Sequence, residues 1–156
     1  LDNLIADHRA DEAEEALRRM SALPDARPII CQVYRAHIAL ARFNEEEADG
    51  IMERLSRQHP EDFAVLFETS QYYAAKSDYE KAVDYYERSF AAETRRPRFT
   101  DELMGIADIY EITGEYGKAA ETCDRITMLL RDEWGITEGD ELTNIARRKE
   151  SLLARI

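Results

Sequence analysis

Four alanines constrain this chain more than any other feature. They stand at Ala13, Ala48, Ala82 and Ala119, in steps of 35, 34 and 37 residues, and each opens the same local pattern. Ala82 is followed by Tyr86 and Ser89, and Ala119 by Cys123 and Ile126. Ala48 leads to Met52, Leu55 and Pro60, and Ala13 to Leu17, Met20 and Pro24. Asp78-Tyr79-Glu80-Lys81 before Ala82 repeats as Glu115-Tyr116-Gly117-Lys118 before Ala119. In both repeats a tyrosine, Tyr73 or Tyr110, lies nine residues upstream. Spacings of four and three mark one face of a helix. A period of 20–50 residues signals an array of supersecondary units that bury their apolar faces on each other. The expected fold class is therefore all-α, built of antiparallel helix pairs.

The internal spacing resembles the tetratricopeptide repeat. In that family a large apolar residue, another, a small residue and a Tyr line the first helix of each pair, then Ala and a large residue line the second, followed by Pro. Leu103, Ile106, Ala107 and Tyr110 fill the first-helix positions of the last repeat, with Gly114 at the turn. Leu66, Ser70 and Tyr73 do so in the repeat before, where Thr69 replaces an apolar residue. The resemblance covers roughly residues 1–134 and implies a right-handed superhelical solenoid, with first helices on the inner, concave wall. The expected repeats are 1–26 (incomplete), 27–61, 62–97 and 98–134, in a single domain spanning 1–156. The second repeat has two possible registers. Without a gap, Gln32 and Arg35 fall on packing positions; a shift of one or two residues in the Phe43–Glu47 turn instead buries Ile30, Val33 and Tyr34. The long last step is assigned to the loop Arg95–Thr100, with Thr100, Asp101 and Glu102 suited to a helix start. After Gly135 and Gly139 a capping helix is expected over about 140–155. Leu142, Ile145, Leu152 and Leu153 form its apolar stripe, and Arg147, Arg148 and Lys149 its basic face. The chain begins at Leu1, partway into a repeat, which suggests a piece of a longer protein.

Chemistry is harder to find. No phosphate-binding Gly-rich loop, nucleophile elbow or metal-binding helix occurs, so no catalytic residue, cofactor or metal is assigned. His8 and His59 read as solvated surface; His37 either faces the inner wall or packs within its helix. Cys31 and Cys123 match no metal spacing and read as buried small hydrophobes, in keeping with a reducing, cytoplasmic setting. A net charge of −12 disfavours contact with a phosphate backbone. No stretch approaches the length of a membrane span.

The resemblance places Ala64, Phe67, Gln71, Ala74 and Ala75 on the inner wall in the third repeat. In the fourth it places Asp101, Met104, Asp108, Glu111 and Ile112 there. Ile30, Val33, His37 and Leu40 are the upstream candidates. Family members that bind chaperone C-termini carry Lys, Arg and Asn on this wall, which Phe67, Gln71, Met104 and Asp108 replace. The candidate site is therefore Phe67, Gln71, Met104, Asp108, Glu111 and His37, taking a protein or peptide with an apolar side chain and basic flanks. The competing reading has Phe67 and Met104 packing against neighbouring repeats and the acids merely solvated. A homodimer is left open. Leu129–Ile136 followed by acids and Leu142 also resembles the end of the bacterial transcriptional activation domain, itself tetratricopeptide-like, although Glu138-Gly139 stands where that family has Pro. That resemblance implies the alternative function, a regulatory module whose DNA-binding domain lies elsewhere.

Overall fold

A computed structural model describes all residues, 1–156. The chain is entirely helical: α1 (Asp2–Ala6), α2 (Ala10–Ser21), α3 (Pro28–Ala41), α4 (Glu45–Gln58), α5 (Phe63–Ala75), α6 (Tyr79–Ala92), α7 (Asp101–Ile112), α8 (Tyr116–Asp132) and α9 (Asp140–Leu153). No helix is long and apolar enough to cross a membrane. The chain divides into two compact units, Leu1–Pro60 and Glu61–Ile156. The first holds the hairpins α1–α2 and α3–α4; the second holds α5–α6, α7–α8 and the final helix α9.

The four hairpin turns share one geometry. A residue with positive φ lies five places before each alanine: His8 (58°), Phe43 (61°), Ser77 (62°) and Gly114 (79°). Its N–H donates to the carbonyl three residues back, on Ile5, Leu40, Ala74 or Glu111. The next N–H reaches back five residues, from Arg9 to Leu4, Asn44 to Ala39, Asp78 to Tyr73 and Glu115 to Tyr110, at 2.8–2.9 Å. Two such bonds around a left-handed residue form the Schellman closure, which satisfies the last carbonyls of the first helix. Asn44 and Asp78 then cap the second helix by accepting the N–H of Glu47 and Lys81.

This shared turn resolves the register of the second repeat. The turn has the same length in all four hairpins, so no shift occurs. Ala36, twelve residues before Ala48, is buried as Ser70 and Ala107 are at the matching positions of their repeats, and Ala39, nine before, is buried where Tyr73 stands in the third repeat. Val33 is also buried, but Ile30 and Tyr34 are only half-buried. The ungapped register does not bury its polar residues either. Gln32 is half-buried and Arg35 exposed, where the last repeat buries Leu103 and Ile106. Cys31 and Ile38 make up part of the lost apolar contact.

All four alanines are fully buried. A methyl group is the largest side chain that keeps two helix backbones this close. Thr69 is buried and donates to the Val65 carbonyl at 2.7 Å, so its hydroxyl is satisfied inside its own helix. Both cysteines are buried and free, and burial pushes the Cys123 thiol above its usual range.

α7 starts where Thr100, Asp101 and Glu102 suit a helix start, with Thr100 at the N-cap and both acids in the first turn, although the Thr100 side chain accepts no capping hydrogen bond. One expectation for α9 is corrected. In α9 Leu142, Ile145 and Leu152 are buried, whereas Leu153 is exposed because it lies one residue, about 100° of helix, beyond Leu152. The loop from Glu93 to Thr100 is firmly held. The Arg98 guanidinium grips Glu133 at 2.6 and 3.0 Å, and the Trp134 indole N–H donates to the Arg98 carbonyl at 2.6 Å.

Candidate functional site

The six candidate residues fall into three settings. His37 belongs to the first unit. It is half-buried in α3, and burial lowers its pKa while the charge of Asp2 on α1 works against that. This is the environment of a packed histidine.

Phe67, Gln71 and Met104 lie in the second unit. Gln71 is exposed; Phe67 and Met104 are half-buried. One side of the Phe67 ring meets Tyr86 edge-on, with centroids 5.9 Å apart. Phe67 also lines a cleft of about 130 Å³ with Phe63, Phe90 and Phe99, where the charged lining residues are Glu68, Glu93, Arg98, Asp101 and Glu102. The cationic residues nearby are already engaged: Arg95 with Glu93, and Arg98 with Glu133. Phe99 is 61% exposed and rests against Trp134, which is itself 40% exposed. Sequence reasoning missed Phe63, Phe90 and Phe99. The signal was present in Phe99 on a loop too long for the repeat, where a large aromatic has no core to enter.

Asp108 and Glu111 share a face of α7, as their spacing requires. Both carboxylates are ion-paired yet remain in part exposed, Asp108 with 60% of its side chain accessible. Arg148 of α9 lies 2.6 Å from Asp108 and 3.6 Å from Glu111, and Arg155 lies 3.9 Å from Glu111. Lys149 reaches Asp124 on α8 at 2.7 Å. Much of the expected basic outer face of α9 thus turns onto α7 and α8, and only Arg147 of the three points away unpaired. The Leu129, Leu130 and Leu142 run that resembles an activation-domain ending is buried packing.

Glu102 borders the aromatic cleft and is buried. Burial pushes its carboxyl above the ordinary range, the helix start and the Ser89 hydroxyl oppose this, and Asp101 and Glu93 add to it. Ser89 Oγ lies 2.9 Å from the Phe63 carbonyl and 3.2 Å from Glu102 Oε1. One hydroxyl proton cannot serve both acceptors. Ser89 can donate to the ionised Glu102 or to the Phe63 carbonyl, and protonation of Glu102 would let the carboxyl donate to Ser89 while Ser89 donates to Phe63. Because the folded state holds this proton more tightly than the unfolded chain, the stabilisation is full below the unfolded pKa of about 4.3 and lost as pH rises through the folded value. Glu102→Gln, whose amide donates at every pH, is therefore expected to melt higher than the parent at pH 7. The difference should shrink as pH falls towards 4.5 in paired thermal melts.

Compared with family models, with curated proteins and with solved structures, the chain matches none.

Proposed function

We propose that the chain is a protein-interaction scaffold of the tetratricopeptide kind, a right-handed superhelical solenoid that holds a partner protein or peptide through its first helices. The observation that supports this reading is the aromatic cleft beside Phe67. Half-buried Phe63 and Phe67 of α5 and Phe90 of α6 line one cleft with the exposed Phe99, whose loop is ordered by Glu133 and Trp134. Large rigid aromatics on a pre-ordered frame lose little entropy on binding, and such residues dominate interface energetics. The acids left around them, Asp101 foremost, favour a partner with an apolar anchor and Lys or Arg flanks. With Asp108 and Glu111 paired to Arg148, the anchor site centres on Phe67 and extends to Phe99.

Capture from the source cell with the parent chain as bait, followed by affinity measurement, tests the reading. Phe67→Ala should weaken the captured partner about tenfold or more, as expected for an anchor residue. A melt of the variant confirms that it stays folded. A partner that binds both Phe67→Ala and Phe99→Ala as tightly as the parent would refute the site.

A further inference from the structure

The second hairpin breaks its own repeat at Arg35 and Gln32, and the space they leave is a cleft. Arg35 stands thirteen residues before Ala48; the matching residues, Thr69 and Ile106, are buried in their repeats. Arg35 instead borders a cleft of about 540 Å³ between α2, α3 and the start of α4. Departures from a local rule without compensation concentrate at functional sites.

Charge inside this cleft is unevenly matched. Arg42 is held by Asp11 and Glu14, each at 2.6 Å, and Arg18 pairs with Glu15 at 2.8 Å. Glu47 accepts from the Asn44 side chain at 2.8 Å. Arg35 forms no hydrogen bond or ion pair. Ser21 lines the same cleft, and its hydroxyl is buried with no partner. A buried hydroxyl left unpaired is costly, so an unspent donor lines the same cleft as an unspent cation. Gln32 joins Arg35 and Ser21 along an adjoining hollow of about 270 Å³.

We propose that this cleft binds a carboxylate carried on a short flexible arm, such as a Glu side chain of an acidic peptide, with Arg35 neutralising it and Ser21 donating a hydrogen bond. Arg35 is the cation lining the cleft that has no acidic partner, so it can take one carboxylate. A doubly charged phosphate would leave excess negative charge beside Glu14 and Glu47. The site belongs to the first unit and shares no residue with the Phe67 cleft.

The test is an NMR titration of the full chain with the blocked tripeptide acetyl-Ala-Glu-Ala-amide, its Gln analogue, and free glutarate. Overall repulsion by a chain of net charge −12 makes non-specific binding of the acidic probes weak. The Glu peptide should move the amide signals of Ser21 and Arg35, and the Gln peptide should not. Arg35→Leu, which restores the repeat pattern, should bind at least tenfold more weakly while melting no lower than the parent. Ser21→Ala should also weaken binding. Equal binding of glutarate would assign the site to free small carboxylates, and preference for the peptide to an acidic segment; either supports the cleft. No response to the Glu peptide, an equal response to the Gln peptide, or unchanged binding by Arg35→Leu would overturn the proposal.

Discussion

Replacing Ala119 by Leu is expected to destabilise the chain by about 3 kcal/mol, the upper part of the range for overpacking a tight core. Ala119 is fully buried, and the apolar residues of α7, Leu103, Ile106 and Ala107, have at most 1% of their surface exposed. The extra atoms therefore have no void to enter and must push α8 away from its partner helix. Such a loss should lower the melting temperature by roughly 6–12 °C for a chain of this size. Ala82→Leu should act in the same way between α5 and α6. Leu at Asp132, on the exposed side of the same helix, should change little. A melting temperature within about 2 °C of the parent for both alanine variants would mean that these positions are not close crossings.

Gly105→Ala should be destabilising by about 2 kcal/mol, against the ordinary sign. In an exposed helix interior, Gly to Ala gains about 1 kcal/mol. Here a Cβ would fall 2.6 Å from Cζ of Tyr86 and 2.9 Å from its Oη. Tyr86 is only 6% exposed and sits edge-on against Phe67, so its ring cannot swing aside freely. Burial also raises the pKa of its phenol. The glycine is a socket that lets α6 seat an aromatic against α7. Because Tyr86 supports Phe67, the substitution should also weaken partner binding. Equilibrium denaturation with urea checks the first effect; a gain in stability would show that Tyr86 is free to move.

The four alanines and their helices were legible because a buried methyl at a crossing tolerates no substitute, and so it keeps its spacing. The Schellman turns were less visible, since their left-handed residue is His8, Phe43, Ser77 or Gly114, with no common side chain. That closure is made by backbone groups, and only Gly114 announces it. Arg35 and Gln32 suggested a shifted register because sequence periodicity assumes that core positions are filled. The backbone instead kept its register and left a cleft. Asp108 and Glu111 lie on one helix face as their spacing requires, but local periodicity cannot say which distant helix supplies their ion-pair partner. Arg148 is forty residues from Asp108, and its approach depends on how Leu142, Ile145 and Leu152 seat α9. Phe63, Phe90 and Phe99 converge for the same kind of reason, through a loop whose course is set by Arg98 and Glu133.

The most direct measurement of the binding role is photo-crosslinking from two exposed positions. A benzophenone-bearing residue replaces Gln71 on α5 in one variant and Glu121 on α8 in the other. Both are then irradiated in extract of the source cell. The first-helix wall, as the partner site, predicts a covalent adduct with a discrete protein from position 71 and none from position 121. An adduct from position 121 alone, or equal adducts from both, would contradict it.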